Sequence, residues 1–161
     1  MKKCNTEIMK DIKQLELERN ELLDYERDNY YVEYTQGEKI ISSDYDYKKV
    51  QMKLEAYDTE LRRLRGLLAY SNVTTIVDGF DMTISEALFY LNQLKYMENR
   101  LRQMVNKKEL TRKVVYDGKI EYKMLNFKPS DALEDYTKVK EMIPKLQMAI
   151  DRTNLTNMIE C

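Results

Sequence analysis

Histidine and tryptophan are both missing from the 161 residues. Without histidine the chain lacks the commonest general base and the commonest metal ligand. Cysteine occurs only at Cys4 and Cys161, one near each end. Two free thiols in a reducing cytosol are the simplest expectation, against a disulfide or a metal site. The four glycines, Gly37, Gly66, Gly79 and Gly118, stand apart, so there is no phosphate cradle, and no Gly-x-Ser-x-Gly turn occurs. No run approaches the ~20 apolar residues of a spanning helix. Met1-Lys2-Lys3 could open a signal peptide, but Asn5, Glu7, Lys10, Asp11 and Lys13 follow where an apolar core is required. Asp44 with Asp46, and Asp78 with Asp81, read as solvated turns rather than cation sites. These absences predict a cytoplasmic protein that is not an enzyme, with no cofactor, no metal and no membrane partner.

What is present is charge and helical periodicity. Charged residues make up 34% of the chain and mean hydropathy is -0.68, values suited to long two-faced helices in a single domain, 1–161. Tyr47, Val50, Leu54, Tyr57, Leu61, Leu64, Leu68 and Ser71 recur at steps of three and four, the seam of a helix packed lengthwise on another. Eighty-two residues later Ala132, Tyr136, Val139, Ile143, Leu146 and Ile150 repeat the positions of Val50 to Leu68. Both stretches run into a common exit, Asn72-Val73-Thr74-Thr75 and Asn154-Leu155-Thr156-Asn157. Because 82 is not a multiple of seven, the exit fixes the register. The chain reads as an internal repeat of about 1–79 and 80–161.

Each half reads helix, hairpin, helix, extended tail. The first helix is expected from Asn5 toward Asp28, with Arg19 wetting its middle, and Tyr30 to Ile41 as a β-hairpin turning at Gly37. Ser42, Ser43 and Asp44 are candidate caps for the seam helix, and Asn72 suits a left-handed helix end. Thr83-Ile84-Ser85-Glu86 is a capping box that starts the third helix. Ile12, Leu15 and Leu22 pair at the 82-residue offset with Leu94, Met97 and Met104. Asp117-Gly118 between alternating runs signals a second hairpin. Pro129 opens the fourth helix, and Pro144 inside it predicts a kink or a solvent-facing defect. The fold class is mainly α: a four-helix bundle, or antiparallel coiled-coil hairpins from two related halves, with short β-hairpins in the connections.

The two connections carry opposite charge although the whole chain is close to neutral at -1. From Asp24 to Tyr47 seven acids face Arg27 and Lys39, a balance of -5. Tyr30, Tyr31, Tyr34, Tyr45 and Tyr47 crowd there, and tyrosine is a preferred interface anchor, so these are the protein-interface candidates. The bland alternative packs several of them under the hairpin with the acids solvated. From Lys107 to Lys128 seven cations face Glu109, Asp117 and Glu121, a balance of +4. Arg112, Lys113, Tyr116, Lys119, Tyr122 and Lys123 are the nucleic-acid candidates, basic residues interleaved with aromatics. The same residues would equally meet the acidic connection of another copy.

The segment Asn72-Val73-Thr74-Thr75, then Asp78-Gly79, then Met82-Thr83-Ile84-Ser85-Glu86-Ala87-Leu88, resembles the septicolysin-like family of small bacterial proteins. The resemblance runs from about Lys48 to the C-terminus and includes the tail Asp151-Arg152-Thr153-Asn154-Leu155-Thr156. It implies two helical hairpins joined through an Asn-x-x-Thr segment, a Gly turn and a Thr-capped helix. The chain departs from that pattern in its tyrosine-rich first connection and at Asn157, and the resemblance transfers no site residues. The family label implies a cytolysin, but no amphipathic hairpin is long enough to span a bilayer. The functional expectation is therefore a non-catalytic protein–protein interaction module. It would self-associate as a homo-oligomer, bind a protein partner, and suit a mobile-element or phage modulator of a host protein. The alternative is a nucleic-acid-associated factor acting through the basic second hairpin.

Overall fold

The computed structural model describes all residues, 1–161. In chain order the elements are β1 (Lys2–Cys4), α1 (Asn5–Asn29), α2 (Tyr47–Thr74), α3 (Ile84–Val105), β2 (Leu110–Val114), β3 (Ile120–Met124), α4 (Pro129–Thr156) and β4 (Met158–Glu160). The chain is mainly helical with two small antiparallel sheets, β1 with β4 and β2 with β3. It divides into two compact units, residues 1–75 with 154–161, and residues 76–153.

In the first unit α1 and α2 run antiparallel. Asn5 meets Ser71 at one end, Arg19 meets Asp58 midway (2.6 Å), and Glu26 meets Gln51 at the other end (2.8 Å). The predicted seam forms the buried stripe of α2 through Val50, Leu54, Leu61, Leu64 and Ser71, while Tyr57 and Leu68 are half-buried and Tyr47 is exposed. From α1 only Asn5 and Ile8 are fully buried, and Ile12, Leu15, Leu22 and Leu23 stay half-buried. Arg19 breaks the apolar line where expected, and its ion pair with Asp58 fills the gap. Both partners are partly solvated, so the pair adds at most ~1 kcal/mol. Where the helices converge, a closed polar network replaces hydrocarbon. Asn5 donates to the Asn154 side-chain oxygen (2.9 Å) and accepts from the Ser71 hydroxyl (2.9 Å), while Asn157 donates to both Ser71 and Thr75 (3.0 Å each). No buried side-chain polar atom lacks a partner, as a low-dielectric interior requires. The first exit enters this network through Ser71 and Thr75, and the second through Asn154 and Asn157.

The second unit has the drier core: Val77, Ile84, Ala87, Leu91, Leu94 and Leu101 against Val139, Leu146 and Ile150. Complete burial of Leu146 and Ile150 contributes roughly 1.5–3 kcal/mol each. Thr83 caps α3 as its sequence predicts, accepting from the Glu86 amide (3.2 Å) while Glu86 accepts from the Thr83 amide (2.7 Å). Pro129 is the first residue of α4, and Pro144 sits on its exposed side.

α2 and α4 both have 28 residues, and their bounds differ by 82 at both ends. The first helices follow a different offset. Thr83 caps α3 where Cys4 precedes α1, and Glu86 and Glu7 make the same backbone bond (2.7 and 2.8 Å). Counting from those residues, Ile8, Ile12, Leu15 and Leu22 correspond to Ala87, Leu91, Leu94 and Leu101, an offset of 79. The predicted pairing with Leu94, Met97 and Met104 is therefore one turn out of register. Both offsets recur where an exit pairs antiparallel with an entry, Met158 with Cys4 and Ile76 with Thr83.

Three further expectations fail. The hairpin predicted over Tyr30 to Ile41 has no strands, only a turn in which Glu38 N–H donates to the Thr35 carbonyl (3.0 Å). Gly37 stands third in that turn with φ 95°, the sign of a type II turn, whose twist splays flanking strands instead of pairing them. The cap of α2 is Asp46, which accepts from the Lys49 amide (3.2 Å), not Ser42, Ser43 or Asp44. Asn72 does not end α2 in a left-handed conformation. The helix runs on to Thr74 and stops in an extended Thr75 whose N–H still bonds Ser71.

Candidate interaction surface

The second connection folds as the Asp-Gly signal predicts. Gly118 N–H donates to the Val115 carbonyl and Val115 N–H to the Lys119 carbonyl (2.9 Å each), with Gly118 at φ 77°. This is a three-residue loop closed by a left-handed residue, a geometry that matches strand twist. Asp117 accepts from the Lys119 amide (3.2 Å) and pairs with its ammonium (2.7 Å). Those bonds to Lys119 hold the Asp117 carboxyl below its ordinary pKa.

The register pairs Leu110 with Met124, Thr111 with Lys123, Arg112 with Tyr122, Lys113 with Glu121 and Val114 with Ile120. Because side chains alternate across a strand, one face carries Leu110, Arg112, Val114, Ile120, Tyr122 and Met124. The other carries Thr111, Lys113, Glu121 and Lys123. All ten strand residues are exposed, including Ile120 (43%), Tyr122 (63%) and Met124 (71%). The ladder therefore presents an uncovered apolar face with a single Arg–Tyr row across its centre.

This placement splits the nucleic-acid candidates. Arg112 and Tyr122 share the apolar face, Lys113 and Lys123 lie on the opposite one, and Tyr116 and Lys119 belong to the turn. Lys119 already has Asp117, and Lys113 lies opposite Glu121, so the positive excess rests on Lys107, Lys108, Arg112, Lys123 and Lys128. Sequence reasoning passed over Leu110, Val114, Ile120 and Met124. Their period-two spacing was visible, but counting charge alone hid the face.

The tyrosine candidates stay together, apart from Tyr34. Tyr30, Tyr45 and Tyr47, with Leu23, Glu26 and Arg27, line a shallow cleft of about 480 Å³. Tyr31 packs on Tyr30 (ring centres 4.4 Å apart), and Tyr34 is exposed near the turn. Tyr45 is the anchored member. It packs on Tyr25 (6.4 Å) and its hydroxyl donates to Glu26 (2.9 Å). Burial, then the bond to Glu26, push its phenol up to about 12.

A second cleft in the same unit, about 400 Å³, is lined by Lys3, Asp11, Glu60, Arg63 and Cys161 among others. Lys3 is paired with Asp11 and Arg63 with Glu60, so its charges are already satisfied. Cys4 and Cys161 are free thiols. No three acidic, cysteine or histidine side chains converge as metal ligands would, and no helix is long and apolar enough to cross a membrane.

No family model matches this chain, and neither does any curated protein. A solved structure does. It is described as a functionally unknown conserved protein from Corynebacterium diphtheriae, and its likeness covers 99% of this chain and 100% of that one, with a TM-score of 0.63 at 13% identity. At that identity the likeness is one of fold alone.

Proposed function

We propose that the protein is a non-catalytic interaction module that docks a partner protein through the apolar face of the β2–β3 hairpin. The observation that carries this reading is that face itself, six solvent-exposed side chains of which five are Leu, Val, Ile, Tyr and Met. An uncovered apolar patch with polar residues on the reverse side has the composition of an interface. Aliphatic side chains offer bases nothing to stack on, and the cations are divided between two faces, which favours protein over nucleic acid. The tyrosine cleft beside Tyr45 is a secondary contact within the same reading.

The helices pair as antiparallel coiled-coil hairpins, and the strict seams of α2 and α4 support a homo-oligomer. The Asn72-Val73-Thr74-Thr75 segment, the Gly79 turn and the Thr83 capping box support membership of the septicolysin-like family. In this role the protein works in the cytoplasm, and a modulator of a host protein carried by a phage or mobile element suits so small an adaptor.

The test is affinity capture from a nuclease-treated bacterial lysate, comparing the wild type with Leu110→Ser/Val114→Ser. A stoichiometric protein retained by the wild type and lost by the variant is the expected result. Equal retention by the variant, or bound material that disappears with nuclease, would overturn the reading. In the latter case reversing Lys113, Lys119 and Lys123 should abolish salt-sensitive nucleic-acid binding.

A further inference from the structure

The hairpin has two open edges, and they are chemically unequal. Antiparallel ladders alternate bonded and non-bonded pairs. The Val115–Lys119 and Leu125–Glu109 bonds therefore make Lys113–Glu121 and Thr111–Lys123 the bonded pairs between β2 and β3. It follows that the backbone groups of Ile120, Tyr122 and Met124 point away from β2, at the outer edge of β3. Those of Leu110, Arg112 and Val114 point outward from β2 in the same way.

An antiparallel copy of β2 laid against its own edge, centred on Arg112, would set Arg112 opposite Arg112 and Thr111 opposite Lys113. Like charges directly opposed in a ladder are destabilising, so that edge resists self-pairing. The β3 edge behaves in the opposite way. Centred on Tyr122, the segment Ile120-Glu121-Tyr122-Lys123-Met124 is self-complementary. Ile120 falls opposite Met124, Glu121 opposite Lys123, and Tyr122 opposite Tyr122. Each is a favourable cross-strand combination, and Glu121–Lys123 occupies the closely spaced non-bonded position.

We propose that β3 pairs edge to edge with β3 of a second copy about a twofold axis at Tyr122, making a four-stranded antiparallel sheet. The pairing would add about six backbone hydrogen bonds. On the polar face it extends a charge row from Lys113 through Glu121 to Lys123 of the other copy. On the apolar face it joins two exposed patches into one continuous surface crossed by an Arg–Tyr–Tyr–Arg row, with aliphatic residues on both sides. This is an isologous contact, closed at two copies because the outer β2 edges repel further addition. The proposal rests on reading the hairpin as an interaction element, and it assigns one edge of it to the protein itself.

The test is sedimentation of the wild type, Lys123→Glu, and the swap Glu121→Lys/Lys123→Glu made together with Lys113→Glu, which keeps opposite charges facing each other within the hairpin. The wild type is expected to form a dimer that dissociates on dilution. Lys123→Glu opposes carboxylates at both symmetric positions and should weaken the dimer about tenfold or more. The swap re-forms two opposite-charge pairs and should restore it. In parallel, amide exchange at Ile120, Tyr122 and Met124 should slow as concentration rises, while Glu121 and Lys123, already bonded to β2, stay unchanged. The proposal is overturned by a wild type monomeric up to about 0.2 mM, by a dimer indifferent to Lys123→Glu, or by a swap that fails to restore. None of these results touches partner capture through Leu110 and Val114, so the two readings fail separately.

Discussion

The connection between α1 and α2 and the one between α3 and α4 each join two long helices, and each turns on a glycine of positive φ. One forms a ladder and the other does not. In residues 106–128 Gly118 is the last residue of a three-residue loop, so the strands leave with the twist that lets them pair. In residues 30–46 Gly37 is third in a four-residue turn, and the flanking backbone is fixed instead by side chains: Ser43 Oγ on the Asn29 carbonyl (3.1 Å) and Tyr45 on Glu26. A glycine of positive φ thus says little until its position within the turn is known. The backbone bond it allows decides whether alternating residues become a sheet.

The largest expected effect comes from breaking the paired connection at its turn. A Cβ on Gly118 meets nothing within 4 Å, so any cost of Gly118→Val is backbone strain alone. Left-handed backbone costs a side-chain-bearing residue about 1–2 kcal/mol, and a two-stranded ladder is only marginally stable. The Thr111, Lys113, Glu121 and Lys123 amides should lose their exchange protection while helical circular dichroism stays unchanged. Gly37→Val, with no ladder to lose, should disturb only residues near its turn. Persistent protection in Gly118→Val would show that the strands hold the hairpin without the loop.

A smaller effect separates the connections by pH. With its phenol pushed up to about 12, Tyr45 should be the last tyrosine seen by absorbance to ionise, whereas Tyr116 and Tyr122 are exposed. The folded-state pKa lies above the ordinary value of 10. The contribution is therefore complete below pH 10 and is lost as pH climbs toward 12. In Tyr45→Phe that alkaline loss of stability should vanish. A wild type whose tyrosines all titrate together would refute the anchoring of this connection.

Much of the fold was legible because its signals are local. The α2 seam, the Thr83 capping box, Pro129 and Asp117-Gly118 each state a backbone preference within a few residues, and each lies where the sequence puts it. What escaped was non-local or subtle. β1 and β4 pair Lys2 with Glu160, and no short-range pattern announces a three-residue strand whose partner is at the far end of the chain. The register of α1 was misread because its apolar positions are half-buried and weakly patterned, while its real marker, Glu7 bonding the Cys4 amide, follows a residue that is not a typical cap. Of the candidate surface, the charges were legible but not their faces, because facing depends on which residues the turn sets opposite each other.

The smallest expected effect is also the sharpest test of that last point, because it tries to convert one connection into the other. If Gly37 took the role of Gly118, Val32 would fall opposite Ile40 and Glu33 opposite Lys39, both favourable pairs. The flanking residues can therefore pair, and the turn is what withholds the ladder. Gln36→Asp places an aspartate before Gly37 as Asp117 stands before Gly118, where its carboxylate can accept from an amide two residues on. Cross-strand contacts between Val32 and Ile40 should then emerge by nuclear Overhauser effect. The gain would be a partial population, since an isolated hairpin is marginal and Tyr45 and Ser43 still hold the returning strand. If no such contacts arise even when Ser43→Ala is added, the turn does not decide the difference. The cause would then lie in the flanking backbone, which Tyr45 on Glu26 still holds.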